Sequence, residues 1–81
     1  VKIRKAHLES ATYSVYIHEN KKEEQTLVAI PAIKWSTIIP YEEENIPLTV
    51  RLEEEFQFSL EGEEEKAQHL ALKLVQWVRE M

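Results

Sequence analysis

The side chains able to do chemistry are few and scattered. The chain has no cysteine and no aspartate, and all 15 of its acidic residues are glutamates. Without thiols there is no disulfide framework and no Cys-based zinc site. Without short carboxylates, the ligand set of a calcium loop is missing. A single glycine, Gly62, leaves no material for a glycine-rich phosphate loop or a nucleophile elbow. Ser10, Ser14, Ser36 and Ser59 have no motif around them and read as residues of turns and of polar strand faces. No catalytic residue, cofactor or metal site is expected, and the chain reads as a non-enzyme.

Three constellations have a functional reading to weigh. His7, His18 and His69 could join glutamates around a metal, since imidazole and carboxylate are adequate ligands, but their spacing does not require it. The triplets Glu42 to Glu44, Glu53 to Glu55 and Glu63 to Glu65 read as two solvated loops and a helix N-terminus, where negative charge is favoured. Their alternative reading is an acidic, inhibitor-like surface that captures a basic partner. Lys2, Arg4, Lys5, Lys21 and Lys22 with Tyr13 and Tyr16 would suit stacking of single-stranded bases. Tyr13 shares parity with Val15 and Ile17 and belongs to a core, which leaves Tyr16 as a poor platform. Nucleic-acid binding through these basic N-terminal strands is therefore a second alternative, disfavoured by a net charge of -5.

The elements that must position these residues begin with a helix. From Gly62 onward, Ala67, Leu70, Ala71, Leu74, Trp77, Val78 and Met81 recur at helical spacing, with Lys66, His69, Lys73, Gln76 and Glu80 on the other side. Glutamates in the first turn and Arg79 in the last complement the macrodipole, and the spacing predicts a helix over about 62–80. Upstream, the pattern alternates. Residues 2–8 read as a strand whose basic residues blunt an open edge, and residues 12–18 as a clear strand with Tyr13, Val15 and Ile17 on one face. Residues 25–30 return as the second arm of a hairpin, and 33–39 follow as another strand after Pro31.

From Ile46, the apolar residues Ile46, Leu48, Val50, Leu52, Phe56, Phe58 and Leu60 all occupy even positions. One strand of that length would be abnormal, so the pattern predicts a hairpin of strands 46–52 and 56–60 closed by Glu53 to Glu55. Leu52 then faces Phe56 and Val50 faces Phe58. Such a loop asks a glutamate for a left-handed conformation, at roughly 1–2 kcal/mol. The whole is an α+β fold in one small domain: an antiparallel sheet of four to five strands, a meander of hairpins, packed on one face by a single C-terminal helix.

Size and charge bound the function. A chain of 81 residues buries a modest core. Residues 1–40 carry six basic groups against four glutamates, and residues 41–81 carry four against eleven. No apolar run approaches the ~20 residues of a membrane span and no signal-like h-region follows the N-terminus, so a cytoplasmic protein without a membrane partner is expected. Pairing Glu19 with Gln25 puts Ile17 opposite Leu27 and Tyr16 opposite Val28. Tyr16, Val28, Ile30 and Ile38 then lie on the sheet face that one helix cannot cover, and they are the candidate interface. The function expected is binding, to a protein partner or to a second copy as a homodimer, through that face or an open strand edge.

Overall fold

The structure, a computed structural model, describes residues 1–8 and 11–80. It divides into two compact units, 1–42 and 43–81. The first is a four-stranded antiparallel meander in the order β1 (Lys2–Leu8), β2 (Ala11–Asn20), β3 (Gln25–Ile30) and β4 (Trp35–Pro40). The second is a pair of helices, α1 (Asn45–Ser59) and α2 (Glu64–Glu80). Ser10 and Met81, read above as a turn serine and as the end of the helical stripe, lie outside the described residues.

Local chemistry explains both described turns of the sheet. After β2, the Asn20 side chain accepts a hydrogen bond from the Glu23 N–H at 3.1 Å, and Glu24 closes the turn with φ +54°. Asn20 therefore pairs with Gln25, one residue later than expected. That single step turns β3 over. Ile17 stands across from Val28, and Leu27 across from His18. After β3, Pro31 opens a 3₁₀ turn over Pro31–Ile33 that ends at a left-handed Lys34, whose N–H bonds the Pro31 carbonyl at 3.0 Å. The strand expected from residue 33 begins at Trp35 instead.

Each strand then divides cleanly by parity. Ala6, Leu8, Val15, Ile17, Thr26, Val28, Ile30, Trp35 and Ile39 are buried on one face. Ile3, Tyr16, Leu27 and Ile38 are exposed on the other.

The hairpin expected over residues 46–60 is a helix, and the single-helix architecture is corrected to two. Even spacing fits a pleat, but every second member of it also fits the i, i+4 repeat of a helix. Leu48, Leu52, Phe56 and Leu60 make up the buried side of α1 and its cap, while Ile46, Val50 and Phe58 are exposed. Val50 and Phe58, expected in a sheet core, are thus on the solvent side. Glu53 to Glu55 occupy mid-helix rather than a loop, where glutamate is a good helix former and no left-handed residue is needed. Pro47 stands in the first turn, where its missing N–H costs nothing.

The two helices are in contact with one another, and their buried residues are Leu48, Leu52 and Phe56 in α1 and Ala67, Leu70, Ala71, Leu74 and Val78 in α2. Between them the Gly62 N–H bonds the Gln57 carbonyl at 2.7 Å and the Glu61 N–H bonds the Phe58 carbonyl at 3.3 Å. This is a Schellman cap with Glu61, at φ +55°, in the left-handed position usually held by glycine. The predicted C-terminal helix is present and starts at Glu64, two residues later than its expected beginning at 62.

Candidate interaction surface

The exposed face of the sheet is organised in cross-strand rows. In one row Ile3 faces Tyr16, which faces Ala29, which faces Ser36. In the next, His18 faces Leu27, which faces Ile38. Ile3 is 55% exposed, Tyr16 38%, Leu27 43% and Ile38 50%. Tyr16 and Leu27 are diagonal neighbours, within reach of an aromatic side chain, so the four form one apolar cluster.

Toward the other end the face turns polar. Lys5 Nζ donates to Ser14 Oγ at 2.6 Å, and His7 Nδ1 lies 3.2 Å from Thr12 Oγ1, each across a paired position. Among the described strand residues, none on this face is a carboxylate, although the chain as a whole carries a net charge of -5.

Of the four expected interface residues, Tyr16 and Ile38 lie on this face, whereas Val28 and Ile30 have no solvent exposure. The register explains the exchange: with Asn20 opposite Gln25, the even residues of β3 join the odd residues of β2. Leu27 and Ile3 were missed. The Asn20 side chain, able to capture a backbone N–H in the turn, was the signal that would have shortened the loop and found Leu27.

The remaining constellations are distributed as follows. His7 and His18 are on the exposed sheet face and His69 is on the exposed side of α2. Among the described residues no three His or Glu side chains converge as a metal site would require. Register splits the basic N-terminal residues between faces, with Lys5 on the exposed side and Arg4 on the side of Ala6 and Leu8.

Two of the glutamates of the triplets are tied to an arginine. Arg51 donates from Nε and Nη2 to the two carboxylate oxygens of Glu43, both at 2.9 Å, and from Nη1 to Glu55 at 2.9 Å. These bonds hold the Glu43 carboxyl below its ordinary pKa, against an opposing effect of burial, and raise that of Arg51. Arg79 reaches from α2 to the Asn45 side chain at 2.6 Å and to the Glu43 carbonyl. The cluster fastens residues 43–45 to both helices and presents no nucleophile. In the sheet unit, the Tyr41 hydroxyl donates to Glu19, which pushes the phenol up to about 12. Among the described residues no helix is long and apolar enough to cross a membrane.

The chain belongs to the family of YueH-like proteins, whose profile matches residues 2–80. It is similar to the protein described as "Uncharacterized protein YueH" of Bacillus subtilis (strain 168), 48% identical over an 84-residue alignment that spans 100% of both chains. No solved structure matches it. Kinship therefore brings no activity or ligand with it.

Proposed function

We propose that this chain is a non-catalytic protein-binding domain that engages its partner through the exposed sheet face, with Ile3, Tyr16, Leu27 and Ile38 at the centre of the contact. The observation that carries this reading is the apolar cluster on a face that has no carboxylate among its described strand residues, in an otherwise acidic chain. Large side chains gathered in neighbouring rows lose exposed apolar area together, and covering the remaining exposed part of each is worth roughly 1 kcal/mol. Only the surplus over the cost of association would appear as affinity. Lys5 at the polar end of the face favours a partner surface with an acidic rim.

The test is a photo-crosslinking residue at Leu27 in cells that make the protein. A single discrete protein adduct, absent when Ile38→Lys is added and absent when the probe is moved to Glu80, is the expected result. An adduct pattern at Leu27 indistinguishable from that at Glu80 would rule the face out.

A further inference from the structure

Beyond the face, we infer that the outer edge of β4 pairs with β4 of a second copy, joining two sheets into one. The Tyr41 N–H bonds the Glu24 carbonyl at 3.0 Å, which makes Glu24 and Tyr41 a hydrogen-bonded pair. The β3–β4 register continues from it without a slip. Bonded and non-bonded pairs alternate in an antiparallel ladder. Ile39, Thr37 and Trp35 therefore bond inward to β3, and the backbone groups of Ser36, Ile38 and Pro40 point out of the sheet. Pro40 fits this phase, because its missing N–H falls on the outer side. Neither Ser36 nor Ile38 has another hydrogen bond among the described residues.

The two edges of the meander are unlike. β1 carries Lys2, Arg4 and Lys5, charges that obstruct pairing with another chain. β4 carries no charged residue anywhere along Trp35–Pro40 and is rich in β-branched side chains. An uncharged open edge has no repulsion against its own copy, and a two-fold axis through such an edge closes after one pairing. With Ile38 opposite Ile38 of the second copy, the two exchange a pair of hydrogen bonds. Each Ser36 N–H then meets the Pro40 carbonyl of the other copy. The Leu27–Ile38 row continues across the axis into the same row of the second sheet. This pairing uses backbone groups and stands whether or not the exposed face binds a partner.

Sedimentation equilibrium from micromolar to millimolar concentration tests it. The 9.6 kDa chain should approach twice its mass at the upper end. Ser36→Pro removes an N–H that the internal ladder does not use and should weaken self-association by about tenfold or more. Ser36→Lys guards the edge with charge and should act in the same direction without restricting the backbone. Tyr16→Ser, two strands inside the edge, should leave the dimer unchanged while altering the face. A 9.6 kDa species at every concentration, or a dimer that survives both Ser36 variants, overturns the proposal.

Discussion

Ile17 and Val28 stand directly opposite one another in the β2–β3 ladder, and neither has any solvent exposure. Leu27, one residue away, is 43% exposed beside Ile38. Adjacent positions on one strand thus belong to different environments, and the division follows from the turn at Asn20.

That relationship predicts opposite outcomes for the same substitution at neighbouring sites. Val28→Lys places an unpaired ammonium where no water reaches and should cost at least about 3 kcal/mol of stability in urea unfolding. Leu27→Lys should stay within about 0.5 kcal/mol, because the side chain keeps its contact with solvent. Equal costs at the two sites would mean that the register is wrong.

Acid should loosen the helical unit through Glu43. Its folded carboxyl sits below the ordinary value of 4.5 because Arg51 bonds the charged form. The stabilisation is therefore full above pH 4.5 and is lost as pH falls through the lower folded value. Glu43→Gln should cost about 1 kcal/mol near neutrality, the scale of a partly exposed two-pronged pair. It should also flatten this part of the acid limb when stability is followed by circular dichroism against pH. An unchanged acid limb would assign the loss to other carboxylates.

The cap between α1 and α2 should respond to backbone chemistry alone. Glu61→Gly relieves a left-handed side chain, worth roughly 1–2 kcal/mol, against a glycine entropy cost of roughly 0.5–1 kcal/mol, so a small rise in thermal midpoint is expected. Gly62 has φ +84° and nothing within 4 Å of where a Cβ would stand, so Gly62→Ala has strain but no clash. It should lower stability by about 1 kcal/mol. A rise in stability on Gly62→Ala would contradict the cap geometry.

Where the local pattern admitted one period, the elements could be read from the residues. Alternation through Tyr13, Val15 and Ile17 has no helical equivalent, and β2 is a strand. The stripe from Ala67 through Leu70, Leu74 and Val78 has no pleated equivalent, and α2 is a helix. At Leu48, Leu52, Phe56 and Leu60 both periods fit. The choice between them depended on which residues are buried, and Ile46, Val50 and Phe58 are not. The strained glutamate loop demanded by the hairpin was the local sign against it.

The candidate face was half legible for the same kind of reason. Tyr16 and Ile38 were found because their parity within each strand is a local property. Leu27 and Ile3 were not, since the face a strand presents depends on its pairing with a neighbour. By itself, the order of residues determined an acidic α+β chain without thiols or aspartates, with the antiparallel strands of residues 1–40 and a closing helix, and it left residues 46–60 open to a hairpin reading. The register and the second helix were decided by tertiary structure, because one hydrogen bond in a turn inverts a strand and burial alone distinguishes a period of two from its multiple of four.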